Sequence, residues 1–426
     1  MSIELSPDQA TALDTLKTYD DNVFLTGSAG SGKSTLVRAY LKEKPLSEKE
    51  RPVLASTGAA AVLVGGRTFH SFFGLGILQG GPDAAIRRAL KSAKTLRRIR
   101  KAKEIIIDEV SMLSGEVLNT AEELARTARE SKAPWGGLRI LAIGDFAQLP
   151  PVQPWNAGGR ERSRDWAFQS QAWRDSNPKV VFLKTCMRTQ DQELLDALED
   201  ARAGSYSHRL ERFLRARGRS DLAERSQAAT VLLAHRERVD ELNRIEVEKL
   251  KGPLKEMPTL YVGKAESIEQ LKRNCPIPPM LALKPGALIM LRQNDPRGRW
   301  VNGTMGWVTS LPRTEGDSLR VQLSEGFEAM LERAHFTQLD GDGEPVASAY
   351  NFPVSLAYAL TIHKAQGATL QEPWIDLTNL WEPGQAYVAM SRARTAKHLH
   401  VIGASRKSFR ADPEVMAYYA KAILND

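Results

Sequence analysis

The fold is decided by residues 23–35, which read Val23-Phe24-Leu25-Thr26 and then Gly27-Ser28-Ala29-Gly30-Ser31-Gly32-Lys33-Ser34-Thr35. The apolar run predicts a buried strand, and the remainder fits the pattern G-x-x-x-x-G-K-S/T. Glycines let backbone N–H groups converge on phosphate oxygens, and the N-terminus of the helix that follows adds its partial positive charge. The stretch therefore predicts a phosphate-binding loop in an α/β fold; a flexible strand-to-helix turn is the alternative reading.

The loop assigns roles to individual side chains. Lys33 would reach the β- and γ-phosphates of ATP, and the Ser34 hydroxyl would be a ligand of Mg²⁺. We expect ATP and Mg²⁺ as cofactors. The nucleotide would be bound by Gly30, Ser31, Gly32, Lys33, Ser34 and Thr35.

A second buried strand ends in two acids. Ile105-Ile106-Ile107 is followed by Asp108 and Glu109. At a strand end beside a phosphate loop, Asp108 would hold Mg²⁺ directly or through water. Glu109 is placed to orient and deprotonate the attacking water, which distinguishes an ATPase from a passive nucleotide binder. An acidic pair that only caps a loop is the alternative.

A third loop follows the strand Ile140-Leu141-Ala142-Ile143 and reads Gly144-Asp145-Phe146-Ala147-Gln148-Leu149-Pro150-Pro151. Gln148 would sense the γ-phosphate, while the turn that contains Pro151 and Val152 projects away from the nucleotide. A proline-stiffened loop with no ligand is the competing interpretation.

Short apolar runs alternate with amphipathic stretches, which is typical of parallel α/β layering. A first series includes Val53-Leu54-Ala55-Ser56, and a second begins near Val180-Val181-Phe182-Leu183. The second series continues with Thr230-Val231-Leu232-Leu233, Trp374-Ile375-Asp376-Leu377 and Leu399-His400-Val401-Ile402. Between about Gly252 and Tyr350, Pro and Gly interrupt the chain. Runs at 288–291, 306–308 and 319–323 there predict short antiparallel strands of an inserted β domain.

Composition limits the remaining choices. The chain has 426 residues, which suggests two to four domains at roughly 100–200 residues each. The 59 Lys and Arg against 51 Asp and Glu give a net charge of +8, compatible with a polyanionic partner. Two cysteines and seven histidines without zinc-type spacing predict a reducing compartment and no structural metal. No signal peptide or membrane-length apolar run is present, so we expect a cytoplasmic, nucleoid-associated protein with no membrane partner.

In their order, these segments resemble superfamily 1 helicases of the Pif (petite integration frequency) family, and they are also similar to RecD-like and Dda helicases. Leu5-Ser6-Pro7-Asp8-Gln9 resembles a motif whose Gln contacts adenine, which assigns that role to Gln9. Segments that grip single-stranded DNA in the family match positions Thr57, Gly58, Thr68, Phe69 and His70. Pro134-Trp135-Gly136-Gly137-Leu138-Arg139 resembles the signature of the Pif family, with Trp135 and Arg139 in place of the usual Phe and Gln.

The second predicted α/β unit carries further resemblances. Leu183-Lys184-Thr185-Cys186-Met187-Arg188 resembles a motif whose Arg faces the γ-phosphate, and Gln385 to Arg394 resembles one that supplies an arginine finger at Arg392. Thr361-Ile362-His363-Lys364-Ala365-Gln366-Gly367 is similar to a DNA-gripping and nucleotide-sensing motif. That similarity assigns DNA contacts to Thr361, His363 and Lys364 and nucleotide contact to Gly367.

The resemblance implies two RecA-like domains with parallel sheets. We expect the first at 1–187 with a small insertion at about 74–94, the second at 188–251 and 351–426, and an SH3-like insertion at 252–350. It also implies an ATP-dependent DNA helicase that moves 5′→3′ on single-stranded DNA, acts at single/double-strand junctions and suffices as a monomer. Four-stranded G-rich DNA is a further candidate substrate beside duplex DNA. An RNA-directed helicase and a nucleotide-gated clamp without translocation are the alternatives.

Other surfaces could meet DNA. Bases can stack on flat rings or prolines, and Pro151, His363 and Trp381 are candidates, although a core position is the favoured reading of Trp381. From Arg87 to Lys103 the chain has nine basic residues and no acid. This stretch is either a DNA-facing patch or, the reading that we favour, a solvated helix.

Overall fold

The computed structural model describes residues 5–43, 46–64, 66–76, 78, 80–151, 164–219, 221–314, 316–324 and 326–424, with the side chains of 63 and 64 left out. In these ranges the structure is a mixed α/β fold with two parallel sheets and three antiparallel ones. Within the described ranges, every helix is too short or too polar to cross a membrane.

The first parallel sheet has the strand order β3-β2-β4-β5-β1-β6. Its strands are β1 (Val23–Gly27), β2 (Val53–Ala55), β3 (Arg67–Thr68), β4 (Glu104–Asp108), β5 (Arg139–Ile143) and β6 (Lys179–Leu183). The helices of this part are α1 (Pro7–Thr18), α2 (Lys33–Glu43), α3 (Gly58–Val64), α4 (Phe69–Phe73), α5 (Pro82–Leu90), α6 (Ala93–Lys101), α7 (Gly115–Arg129) and α8 (Gln171–Ser176). Helix α1 begins where it does because Ser6 and Gln9 form a capping box and Pro7 occupies the first helical position.

The second parallel sheet has the order β18-β7-β19-β20. It begins after α9 (Gln192–Arg202) and α10 (His208–Ala216), with β7 (Ala229–Leu233), and is followed by α11 (Arg236–Lys249).

The segment between α11 and the rest of the second sheet is mostly antiparallel. It contains β8 (Lys255–Pro258), β9 (Leu260–Gly263), α12 (Ala265–Asn274), β10 (Met280–Leu283), β11 (Leu288–Leu291), β12 (Met305–Ser310), β13 (Leu319–Leu323), β14 (Glu328–Leu331), β15 (Ala334–Leu339), β16 (Pro345–Asn351) and β17 (Val354–Leu356). The sheets are ordered β14-β13-β12-β11-β17, β15-β16-β9 and β10-β8. The chain then completes the second parallel sheet with β18 (Ala359–Thr361), β19 (Glu372–Leu377) and β20 (His400–Ala404). Helix α13 (Gln385–Met390) lies between β19 and β20, and α14 (Pro413–Leu424) follows β20.

The predicted strands are confirmed in both parallel sheets and in the antiparallel part, within a few residues at each end. One assignment is wrong: the run at 180–183 does not open the second series, because β6 pairs in parallel with β1 at the edge of the first sheet. Its position places the segment that leads to Arg188 directly beside the phosphate loop.

We call the part of the molecule around the first parallel sheet the first half and the part around the second parallel sheet the second half. The C-terminal helix packs on the first half. Val415 and Tyr419 of α14 are buried in a core that also contains Phe24, Phe146 and Trp173. The sequence pattern places residues 351–426 in the second unit, but this helix returns to the first because its apolar side chains fill the space beside β1.

Candidate active site

The phosphate loop joins β1 to α2 and is shaped by glycine. Gly30 and Gly32 both have φ of 83°, a conformation that glycine adopts without strain. Lys33 donates to the carbonyl oxygens of Gly27 at 2.9 Å and Ser28 at 3.2 Å. Burial lowers the pKa of Lys33, against the opposing charges of Asp145 and Glu109. The ammonium thus lies inside a cradle of backbone groups, where a phosphate would offer it a charged acceptor.

Two polar side chains at the phosphate loop are buried, one on the loop itself and one on α1. The Ser31 hydroxyl is buried and has no hydrogen-bond partner among the described residues. The Gln9 amide is buried and donates to the Ser31 carbonyl at 3.0 Å, while its oxygen accepts from the Ser6 N–H. The structure places Gln9 in contact with the backbone of the phosphate loop, and its contact with adenine stays a prediction. Thr35 follows on α2.

The two acids lie at the carboxyl end of β4. Glu109 is in the left-handed region (φ 54°, ψ 47°), which costs about 1–2 kcal/mol for a residue with a side chain. Its N–H donates to Asp108 Oδ1 at 3.0 Å. Burial raises the pKa of Asp108. Burial and the charge of Asp108 raise the pKa of Glu109 to about 7. Such a carboxylate is matched to proton abstraction near neutral pH.

The donor set at this edge fits Mg²⁺. Ser34 is exposed at the start of α2, and Asp108 is the last residue of β4, which β5 separates from β1 in the same sheet. A hydroxyl and a carboxylate are the oxygen ligands that Mg²⁺ accepts in sites completed by phosphate and water. The residues present are therefore suited to the ion that the phosphate loop requires.

Gln148 follows β5 and is buried with the rest of its loop. Its amide nitrogen is 3.3 Å from Asp145 Oδ2, and its backbone N–H donates to the Asp145 carbonyl at 3.0 Å. The carboxyl ends of β1, β4 and β5 thus bring Lys33, Asp108, Glu109 and Gln148 to one edge of the sheet, as the sequence predicts for a parallel fold.

Arg188, which follows β6, and Arg392, which follows α13, lie near this edge, and carbonyl and hydroxyl oxygens accept hydrogen bonds from both. Arg188 donates to the carbonyls of Ser391 at 2.6 Å and Gly367 at 3.3 Å. Arg392 is 1% exposed and donates to the carbonyls of Val388, Ala365 and Ala368. Burial and the charge of Arg188 lower the pKa of Arg392 to about 9. Among the described residues, the hydrogen-bond partners of both guanidinium groups are uncharged oxygens, and neither arginine is paired with a carboxylate.

Among the contacts that cross from the second half to the nucleotide edge, two involve residues that are not predicted site residues. Gln366 donates to Glu109 Oε2 at 3.3 Å. The Ala29 N–H donates to the hydroxyl of buried Tyr387 at 2.7 Å. Both residues lie inside motifs that resemble those of the family, so their place in these motifs is the sequence signal that could have identified them as site residues.

The residues of the first half that are predicted to contact DNA differ in how exposed they are. Thr57 and Gly58 lie half-buried at the start of α3, and Thr68 caps α4 by accepting from the Ser71 N–H at 3.0 Å. His70 is half-buried on α4. Phe69, which is also predicted to contact DNA, has a fully buried ring 4.9 Å from that of Phe73, because α4 turns its aromatic face into the core.

The residues of the second half that are predicted to contact DNA lie at the end of β18 and in the segment that follows it. His363, Lys364 and Gly367 are exposed, and Thr361 Oγ1 accepts from the Lys364 N–H at 3.2 Å. Trp381 is 43% exposed, which contradicts the favoured core reading. An exposed ring suits the base-stacking alternative.

The other residues that are predicted to contact DNA are less accessible. Pro151 is buried, so it offers no stacking face in this conformation, and Val152 lies outside the described residues. In the basic stretch, Arg98 donates to the Ser71 carbonyl at 3.0 Å and pairs with Asp342 at 3.2 Å. Arg100 pairs with Glu130 at 3.0 Å. These partners favour the solvated-helix reading over a free DNA-facing patch.

Comparison with known proteins identifies the family. The sequence model described as PIF1-like helicase matches residues 4–217, half of the chain. The chain belongs to the PIF1-like helicase family. It is 46% identical over 417 residues to a protein of Bdellovibrio bacteriovorus named ATP-dependent DNA helicase Pif1, with 98% of this chain and 92% of that protein covered.

Solved structures of the family give the same result. Pif1 from Bacteroides sp in complex with ADP-AlF4 superposes with a TM-score of 0.83 at 25% identity, covering 100% of this chain and 98% of that one. Bacteroides Pif1 in complex with ADP-AlF3 and ssDNA has a TM-score of 0.68 at 25% identity over 100% and 98% of the two chains. Relatives from Emericella nidulans and Homo sapiens are longer, and this chain spans 61% and 64% of their lengths.

Proposed function

We propose that this chain is an ATP-dependent DNA helicase that moves 5′→3′ along single-stranded DNA and separates the duplex ahead of it. The observation that carries the proposal is the 3.3 Å hydrogen bond from Gln366 to Glu109. It joins a segment with predicted DNA contacts in the second half to the candidate base of the first. The polarity rests on the resemblance of the motif set to Pif-family and RecD-like helicases.

The chemistry is hydrolysis of the γ-phosphate of ATP. Lys33 and the loop amides would bind the phosphates, and Ser34 and Asp108 would hold Mg²⁺, which supplies charge neutralisation when bound. Glu109 would take the proton of the attacking water, and Gln148 would contact the γ-phosphate. Each of these groups lies at the carboxyl edge of the first sheet.

Turnover would depend on closure of the two halves. In the part of the chain described, the side chains of Arg188 and Arg392 donate to carbonyl and hydroxyl oxygens and to no carboxylate. Cations placed on the charge that develops in phosphoryl transfer raise the rate by about 10³–10⁵. We assign this role to both arginines, so hydrolysis would be fast when the second half closes on ATP and slow when the halves part.

The single-stranded DNA would lie across both halves. Thr57, Gly58, Thr68 and His70 would contact it on the first, and the segment 361–364 on the second, with Lys364 neutralising phosphate. The bound strands in structures of Bacteroides Pif1 support DNA as partner.

We also propose the three-part layout, with RecA-like units at 1–187 and 188–251 plus 351–426 and an SH3-like insertion at 252–350. The return of α14 to the first core refines this layout, since residues 413–424 would move with the first unit. Because one chain supplies every group named, a monomer would suffice.

Steady-state ATP hydrolysis, measured alone, with oligo-dT and with oligo-U, tests the proposal. We expect strong stimulation by the DNA strand, weaker stimulation by the RNA strand and none in Lys33→Ala. Stronger stimulation by RNA would favour an RNA-directed helicase. Nucleotide binding without turnover would favour the clamp.

A further inference from the structure

Behind Gln148 lies a fully buried carboxylate with four donors. Oδ1 of Asp145 accepts from the Ala147 N–H at 3.1 Å, from Arg202 Nη2 at 2.9 Å and from the Tyr419 hydroxyl at 3.1 Å. Oδ2 faces the Gln148 amide at 3.3 Å. A buried carboxylate is tolerated only when charge and hydrogen bonds compensate it, so these donors fix its position.

The donors come from three distant parts of the chain. Arg202 ends α9, whose residues Leu194 and Ala201 belong to the core of the second half. Tyr419 lies on α14 in the core of the first. The ion pair between Arg202 and Asp145 therefore joins the two cores at the loop that carries Gln148.

The Tyr419 hydroxyl contacts three residues at this junction. Its hydroxyl donates to Asp145, accepts from the Phe146 N–H at 2.9 Å and lies 2.9 Å from Thr26 Oγ1 on β1. The Arg202 guanidinium lies over its ring, 4.8 Å from the centroid. Burial raises the pKa of Tyr419, so the hydroxyl keeps its proton and remains a donor. Burial raises the pKa of Asp145, but the charges of Arg202 and Lys33 outweigh it and hold the pKa below its usual value.

A glycine confirms how closely the second half approaches this loop. Gly384, at the start of α13, has φ of 78°, and a Cβ there would meet the carbonyl oxygens of Ala147 and Gln148. The loop is thus enclosed by α9, α13 and α14, and any shift of the second half must change the surroundings of Gln148.

We propose that Arg202 and Tyr419 are positioning residues for ATP hydrolysis, which hold Asp145 so that the Gln148 amide is set for the γ-phosphate only when the two halves are closed. The inference rests on the proposed function, in which Gln148 contacts that phosphate. The C-terminal helix is then part of the ATPase site. Arg202 is the residue through which closure of the two halves sets the position of the Gln148 amide.

The test compares Tyr419→Phe with Tyr418→Phe, which removes a hydroxyl from the same helix where the ring stacks on Phe168. In DNA-stimulated ATP hydrolysis, Tyr419→Phe should lower kcat by about 10-fold with KM within about twofold, the loss expected for one hydrogen bond to a charged group. Tyr418→Phe should leave both constants within about twofold. Arg202→Met should lose kcat by a larger factor than Tyr419→Phe, and Arg202→Lys should recover part of it because the positive charge is retained.

A double-mutant cycle separates positioning from simple support of the fold. In a Gln148→Ala background, Tyr419→Phe should have no further effect on kcat, because its action passes through Gln148. Losses that multiply, or a Tyr419→Phe enzyme that matches Tyr418→Phe, would overturn the inference while leaving the helicase proposal intact. Absence of ATP hydrolysis in the unaltered protein would overturn the proposed function, and this inference with it.

Discussion

Gln366 donates its side-chain amide to Glu109 Oε2 at 3.3 Å, so the candidate base of the first half is held by a residue of the second. Gln366 lies two residues from Lys364, in the segment expected to contact DNA. The bond gives a direct physical route by which movement of that segment changes the orientation of the base.

Removal of this bond should uncouple DNA binding from hydrolysis. We expect Gln366→Ala to lower the DNA-stimulated kcat by about 10-fold or more, because a lost hydrogen bond to a charged group costs about 1.5–3 kcal/mol. Hydrolysis without DNA should change much less. Gln371→Ala, at an exposed position on the same segment, is the matched control. Equal loss with and without DNA would contradict this role.

Glu109 should make stability depend on pH in the nucleotide-free protein. Its pKa is raised to about 7 in the folded state, so its contribution is complete below the unfolded-state value near 4.3 and is lost as pH rises through about 7. Glu109→Gln should therefore gain stability relative to the unaltered protein as pH rises, reaching about 1–3 kcal/mol above pH 7.

Urea unfolding at pH 5 and pH 8 measures this difference. Glu123→Gln, at an exposed position on α7, should show no such gain. A Glu109→Gln protein that is stabilised equally at both pH values would show that the buried carboxylate is not the cause.

Arg392 should be needed for turnover but not for ATP binding. We expect Arg392→Lys to bind a fluorescent ATP analogue normally and to lose about 10³-fold in single-turnover hydrolysis, because a lysine cannot replace the planar guanidinium. Arg394→Lys, two residues away and exposed, should be unaffected. Retained DNA-stimulated hydrolysis in Arg392→Lys would remove the finger assignment.

Gly384 should tolerate a side chain less well than Gly137. Both have positive φ, 78° and 77°, but a Cβ at Gly137 meets no atom within 4 Å, whereas one at Gly384 meets two carbonyl oxygens. Gly137→Ala should cost about 1–2 kcal/mol, and Gly384→Ala about 1–3 kcal/mol more. Equal thermal shifts for the two variants would mean that the halves do not meet closely at the loop of Gln148.

Local pattern was sufficient to predict the nucleotide edge. Strand β1, its glycines, Lys33 and the acids after β4 are encoded within short windows, because apolar runs and φ-permissive glycines act through neighbouring residues. The strands therefore lie where the sequence predicts them, and Lys33, Asp108, Glu109 and Gln148 meet at one sheet edge.

Long-range packing is what the sequence could not supply. Phe69 matches a DNA-gripping segment, yet its ring is buried because α4 packs against the first core. Arg202 and Tyr419 lie outside every quoted motif, and only the return of α14 brings the tyrosine to Asp145, 274 positions earlier in the chain.

Strand displacement on two partial duplexes, one with a 5′ single-stranded tail and one with a 3′ tail, tests the central claim most directly. The account predicts ATP-dependent release of the short strand from the 5′-tailed duplex only, with no release by Lys33→Ala. Release from the 3′-tailed duplex alone would contradict the polarity, and no release from either, despite DNA-stimulated ATP hydrolysis, would contradict the helicase itself.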